Sequence, residues 1–411
     1  FFPSIAVGYV VSNEKFFAPI RDVVSMVKLK ASYGLVGNDQ IGGDRRFIYN
    51  ETVIGGGKYY FGTTPSQYTS VRLGEFPNPN VGWEKAKKLN LGADLSFFNQ
   101  LNISVDYFKE NREGIFLQRK SIPMYVGLST KPWVNIGKMR NSGIDASLEY
   151  HQPLGKDLHL TVRGNFTYAR NRIMDQDEPD YAYTYMNHSG QMQWQKFGLV
   201  AAGLFQDQED IDSWAKQSFG EVKPGDIKYL DLNGDGIVDN YDTKPIGYSD
   251  IPEIVYGFGF SLQWKAFDLS AFFQGVAHVS FSTLTDQTQA FVGRNLKESS
   301  VFADLYGNTW TPENPGAKYP RMTTGAIDNN NQLSTFWMAN GRYLRLKNLE
   351  LGYTLPKRIA NKIAMQSLRV YLSGVNLFTF SPFKLWDPDL QTGATNYPNN
   401  RIINLGLTIG F

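Results

Sequence analysis

Period-two alternation, repeated along the whole chain to its last residue, is what most limits the fold. In residues 401–411, Ile403, Leu405, Leu407, Ile409 and Phe411 share one parity, and Asn404, Gly406, Thr408 and Gly410 share the other. Successive side chains of a strand point to opposite sides, so this is a strand with one apolar face and one small, polar face. It is long enough to cross a bilayer at a tilt, and it ends on an aromatic residue. The same pattern predicts strands at about 1–11, 24–36, 84–98, 101–112, 139–151, 158–170, 254–265, 267–280, 343–355, 367–380 and 401–411. Soluble sandwiches also contain such strands, so the connections must decide.

The connections alternate in length. Those near 12–23, 99–100, 152–157, 266 and 356–366 are short; those near 37–83, 113–138, 171–253, 281–342 and 381–400 are long. Short turns on one side and long loops on the other mark outer-membrane barrels, and a sandwich supplies no reason for every second loop to be long. With the carboxy terminus periplasmic, every long loop falls outside the cell. Aromatics at 14%, with 28 Phe and 23 Tyr, together with 39 Gly, suit aromatic girdles and tight turns. No apolar run is long enough for a membrane helix. A barrel wall hides from hydropathy because alternate residues face a polar lumen.

Eleven predicted strands is an odd number, and an antiparallel sheet of that size cannot close on itself without pairing its first and last strands in parallel. Open edges in lipid would leave unpaired N–H and C=O groups, each costing several kcal/mol. We therefore expect half of a barrel, with the remaining half supplied elsewhere. Phe1 already lies in a strand-like pattern, so the chain reads as part of something longer. The apolar parities are expected to face lipid, and Asp94, Asp106, Glu149, Arg163 and Gln263 the lumen.

Residues 231–242 match a twelve-residue calcium loop. Asp231, Asn233, Asp235 and Asp239 place oxygens at its first, third, fifth and ninth positions. Gly236 stands at the sharp turn, Ile237 offers its carbonyl, and Val238 is the apolar eighth residue. Asp242 replaces the usual Glu at the twelfth position, and the flanks are not helical; Pro224–Leu230 reads as a strand entering the loop. Structural calcium, held by Asp231, Asn233, Asp235, Ile237, Asp239 and Asp242 in an extracellular loop, is the cofactor expected.

Other signals point away from chemistry. There is no Cys, which excludes disulfides and thiolate sites, and the four His at 151, 159, 188 and 278 form no zinc or triad spacing. The formal charge of +2 gives no reason to expect nucleic acid. Gly55, Gly56 and Gly57 read as a flexible loop tip. Trp194, Trp214, Trp310, Trp337 and Trp386 lie in or near long loops, where packing or girdle roles are favoured over sugar stacking; Tyr181, Tyr183 and Tyr185 admit both readings.

Several segments together resemble the carboxy-terminal half of SusC/RagA-type TonB-dependent transporters of the Bacteroidota outer membrane. They are residues 2–9, 30–38, 77–84, 141–145, 224–236, 343–353 and 375–379, the Asp387-Pro-Asp389 turn and the final strand. The resemblance implies that residues 1–411 are the second half of an all-β, 22-stranded transmembrane antiparallel barrel with an internal plug. It also implies a SusD-like lipoprotein as lid, contact with the TonB complex through an amino-terminal region outside these residues, and import of an oligosaccharide or peptide. Membrane lipid and lipopolysaccharide surround such a barrel, and no enzymatic activity is expected. The alternative is a barrel of this kind recruited as a structural subunit of an outer-membrane assembly or secretion complex.

Overall fold

The computed structural model describes residues 1–411 except 41–44, 129, 286–287, 289–301, 324, 364 and 394–395. Eleven strands form one antiparallel sheet in chain order. They are β1 (Ser4–Val10), β2 (Val24–Asn38), β3 (Glu84–Phe97), β4 (Leu101–Gln118), β5 (Trp133–Pro153) and β6 (Leu158–Asp175), then β7 (Ile254–Trp264), β8 (Phe267–Ala277), β9 (Tyr343–Thr354), β10 (Ser367–Phe380) and β11 (Ile402–Gly410). Every predicted strand is present. Among the described residues β1 and β11 are unjoined edges, so the sheet is an open half-barrel.

Register carries side-chain parity across the sheet. One cross-strand row runs Val27, Leu95, Ile103, Leu148, Gly164, Phe258, Phe273, Leu346 and Phe378. A parallel row runs Leu160, Leu262, Leu269, Leu351, Leu372 and Leu405. Bulges in β9 and β10 near residue 347 absorb a register shift without breaking the apolar face. That face is broadly exposed, with Ile5 at 68% and Leu405 at 78%. A continuous apolar surface of this extent is stable against a bilayer, not against water.

Short turns close one end of the sheet. Phe98 and Asn99 take φ of +52° and +54° between β3 and β4, and Lys265 takes +53° between β7 and β8. Such left-handed residues match the twist of a tight hairpin. At the other end the strands run past the predicted limits, with β4 reaching Gln118 and β5 starting at Trp133. The connection after β2 contains its own hairpin, Val53–Phe61 with Ser66–Leu73. Gly55, Gly56 and Gly57 lie inside the first of these strands, at a bulge, and not at a flexible tip. A bulge needs the backbone freedom of Gly, which explains the run without any loop tip.

The segment 197–205 leaves the sheet and forms paired extensions of its own. Lys196–Gly198 pairs with Lys244–Ile246, and Ala201–Leu204 with Ile227–Tyr229. Leu199, Leu204, Ile227, Tyr229 and Val238 from this excursion pack with Leu305, Trp310, Tyr319 and Trp337 from the next one. The two longest connections thus share one hydrophobic core above the long-loop end.

Candidate functional site

The polar face of the sheet is lined by cross-strand ion pairs. Lys30 on β2 places Nζ 2.8 Å from Asp94 on β3 and 3.4 Å from Asp106 on β4. Ser104 donates to the same Asp94 carboxylate at 2.7 Å. Lower in the sheet, Arg163 meets Glu149 at 2.8 Å, and Arg369 meets Asp268 and Glu350 at 2.5 Å each. The register puts Asp94, Asp106, Glu149, Arg163 and Gln263 together on this face, opposite the apolar rows. Each pair is partly hydrated and contributes under about 1 kcal/mol. Their joint effect is a wettable wall on which many of the fixed charges are paired across strands. A polar solute can pass along such a wall without being trapped by one strong counter-charge.

At the upper end of this wall a buried arginine clasps the last long connection. Arg345 on β9 is only 2% exposed. It donates through Nη1 to Asp389 at 2.9 Å, through Nε to Thr379 Oγ1 at 3.0 Å, and through Nη2 to Asp387. The Tyr343 hydroxyl donates to Asp389, and Asn399 donates to both carboxylates at 3.2 and 3.1 Å. A buried guanidinium is tolerated only when its donors are taken up in this way. Sequence reading singled out both the 343–353 strand and the Asp387-Pro-Asp389 turn but not their contact. An Arg between Leu344 and Leu346, on the parity opposite to theirs, was the available signal.

The body above the sheet is held by buried polar ties as well as by its core. Asp226, fully buried, pairs with Arg321 at 2.8 Å and accepts from Asn330 Nδ2 at 2.9 Å. Asn330 Oδ1 in turn accepts from the Ile227 N–H at 2.8 Å, and Trp337 Nε1 donates to the Asn330 carbonyl at 2.8 Å. The tryptophans divide accordingly. Trp310 and Trp337 are core residues, Trp386 packs against Phe281, Phe302 and Phe383, and Trp214 lies under Lys228 Nζ at 4.7 Å. Trp194 remains 62% exposed. Beside the body, Asp177 joins the ends of β4 and β6. Burial disfavours its charge, but Arg119, the Ser121 N–H and hydroxyl and the Lys120 N–H outweigh that and hold its carboxyl at about 2.

The candidate calcium loop sits in this body, flanked by its short strands. Asp231 accepts from the Gly234 and Gly236 N–H groups at 2.6 and 2.7 Å, and Asp235 from the Ile237 N–H at 2.8 Å. Asn233 accepts from the Asp235 N–H and Asp239 from the Tyr241 N–H. Asp242 is fully buried and accepts from the N–H groups of Leu232 and Asp239 at 2.7 and 2.8 Å, which closes the loop end to end. Val238 is buried in the core, and the exposed Ile237 is paired with Lys216 in a short parallel bridge. Among the described residues, no three His, Asp or Glu side chains gather closely enough to hold a metal ion between them. The like-charged carboxylates instead take up backbone N–H groups. Each carboxylate has about four acceptor sites, so lone pairs remain for a cation. Burial and the nearby Asp242, with further contributions from Asp231 and Asp235, push the Tyr185 hydroxyl above its ordinary value. That hydroxyl donates to the Tyr241 carbonyl at 2.7 Å. Asp210 and Asp226 have cationic partners in Lys228 and Arg321, but among the described residues no Lys, Arg or His pairs with the four loop carboxylates.

Comparison with known proteins agrees with this architecture. Residues 1–377 match the family described as TonB dependent receptor-like, beta-barrel. The whole chain is similar to TonB-dependent receptor P3 of Formosa agariphila, at 30% identity over 438 residues, and covers 42% of that protein. It is 26% identical over 437 residues to TonB-dependent receptor SusC of Bacteroides thetaiotaomicron, covering 40% of it. The chain therefore spans less than half the length of the curated relatives it matches. In fold it is similar to the solved structure of the RagAB peptide transporter, with a TM-score of 0.73 and 22% identity, over 100% of this chain and 43% of that one. The RagAB peptide importer in its "closed-closed" state gives 0.74 and 23%, over 100% of this chain and 43% of that one.

Proposed function

The chain belongs to the TonB-dependent receptor-like β-barrel family, and from that premise we propose that its parent protein imports an oligosaccharide or a peptide across the outer membrane. The chain itself is part of an outer-membrane barrel of a Gram-negative bacterium. In the proposed cycle, a SusD-like surface lipoprotein closes over the extracellular body and captures cargo against it. TonB, acting on a region outside these residues, then opens the path along the polar wall. The observation that carries this reading is the wall itself, a polar face crossed by ion pairs from Lys30 to Arg369. The similarity to SusC and to the RagAB fold supports a Bacteroidota source and a lipoprotein lid.

Deleting the gene in its host and following uptake of labelled oligosaccharides and peptides tests the proposal. Loss of uptake of one such class, restored by the full-length gene, is the expected result. Unchanged uptake of both classes, with the barrel recovered inside a secretion or assembly complex, would replace importer with recruited subunit.

The loop from Asp231 to Asp242 is proposed as a structural calcium site of the extracellular body. Its support is four carboxylates without cationic partners among the described residues, on a loop already closed by Asp242. Calcium would stiffen the body and take no part in transport chemistry. Millimolar calcium suffices for sites of this ligand type. The full-length receptor should unfold at higher temperature in millimolar calcium than in chelator, and an Asp231→Asn, Asp235→Asn variant should lose that difference. Equal melting in both conditions would remove calcium from the account.

A further inference from the structure

The apolar face changes character toward the long-loop end of β3 to β6. Leu91, Tyr107, Ile144 and Tyr168 form one cross-strand row. Two residues further out, about 7 Å along the strands, the same parity carries Lys109 and Arg170. The next row carries Lys87, Arg140 and Arg172, and the one after it Lys85 and Lys138. Only two acids, Glu113 and Asp175, share these rows with the seven cations.

Some of this charge is spoken for. Lys87 meets Glu113 at 3.1 Å, Lys138 meets Asp175 at 3.7 Å, and Arg170 meets the buried Glu253 at 3.0 Å. Among the described residues no carboxylate pairs with Lys85, Lys109, Arg140 or Arg172. The opposite face at the same height is balanced. There Lys88 and Arg112 meet Glu110 at 3.2 and 2.8 Å, and Arg112 meets Glu84 at 3.5 Å. The cationic excess is therefore confined to the outward parity. On the β2 side it stops at once, since the positions of β2 in these same rows are Tyr33, Leu35 and Gly37.

An isolated charged patch on a soluble protein is usually just a hydrated face. This one continues a surface that must lie in lipid, and Tyr33, Tyr107 and Tyr168 stand at its lower border. Tyrosines on the outside of a barrel mark headgroup depth. Cations immediately above them meet headgroups, and Arg and Lys recognise phosphate by charge-assisted hydrogen bonds. We infer that the outward face of β3 to β6 binds the phosphorylated headgroup of an outer-leaflet glycolipid through Lys85, Lys109, Arg140 and Arg172. The site rests on the membrane placement of the sheet and is independent of cargo and of TonB.

Native mass spectrometry of the detergent-purified full-length receptor, titrated with lipid A and with enzymatically dephosphorylated lipid A, reads the site directly. The phosphorylated lipid should bind at least about tenfold more tightly, since each cation at a membrane surface contributes about 1 kcal/mol. Replacing Lys85, Lys109, Arg140 and Arg172 by Gln should erase the preference, and Lys88→Gln on the opposite face should keep it. Equal binding of both lipids by the unmodified receptor would overturn the inference, and so would a preference that survives the fourfold Gln replacement. Full competition by inorganic phosphate would also overturn it, by assigning the patch to free anions, as would loss of the preference in Lys88→Gln.

Discussion

The sheet and the body above it are made from the same kinds of residue placed in opposite ways. In the sheet, Ile403 and Val7 are 66% and 64% exposed; in the body, Leu199 and Phe205 are each 1% exposed. The sheet needs no core because lipid covers its apolar face and backbone ladders satisfy its polar groups. The body stands in water, so it must bury its own apolar side chains and tie its irregular backbone with side chains such as Asp226 and Asn330. Solvent, not composition, decides which residues turn inward.

The strongest way to break this contrast is to injure one region and watch the other. Asp226→Ala leaves Arg321 and Asn330 without their buried partner and should cost about 3–5 kcal/mol. Hydrogen exchange should rise at 199–205 and 227–230 while the sheet keeps its protection; uniform loss of protection would mean the two regions are one cooperative unit. Phe260→Arg on the apolar face should cost about 2–4 kcal/mol near the bilayer midplane. The expected sign is a fall in the folded, heat-modifiable form on electrophoresis, and unchanged yield would mean that face does not meet lipid.

A milder test uses acid. Asp177 is held at about 2 against an ordinary 3.8, so its contribution is complete above the ordinary value and fades as pH falls from there toward 2. The protection factors at residues 119–121, taken relative to the intrinsic exchange rate at each pH, should fall across that interval, and Asp177→Asn should abolish that pH-dependent fall. The smallest effect belongs to the polar wall, where Lys30→Gln should change stability by less than about 1 kcal/mol. A larger loss in chemical denaturation would show that the wall pairs hold the sheet together and do more than keep it wettable.

The sheet was readable in the sequence because a membrane enforces period two over long runs. All eleven predicted strands are there, and errors gather where that enforcement ends. Beyond the bilayer both faces of β4 carry charge, as at Glu110, Arg112 and Glu113, so the pattern gave no hint that the strand continues to Gln118. The glycines at 55–57 carry the signature of a loop tip because a bulged strand and a loop tip demand the same backbone freedom. The body was nearly illegible for another reason. Its strands are two to four residues long, too short for a period, and its core joins residues about a hundred positions apart. Packing of Trp310 and Trp337 could be anticipated, but not their partners. The Arg345 clasp was visible as two separate motifs, whose contact depends on how the last loop folds back.

That long-range core has a consequence for assembly. Asp226 meets Arg321 across 95 residues, and Ile227 meets Asn330 across 103. The β7–β8 hairpin lies between the two excursions in the chain. Neither excursion can complete the core until that hairpin has entered the membrane and both flanking loops have crossed to the same side. Contacts so distant in sequence form late, after closer pairings have reduced the loop to be closed. We therefore expect protease resistance at 199–230 to appear after that of the β7–β8 hairpin during refolding into vesicles. The body would then act as a record of insertion: its closure marks the moment at which this part of the wall has been threaded in the right direction.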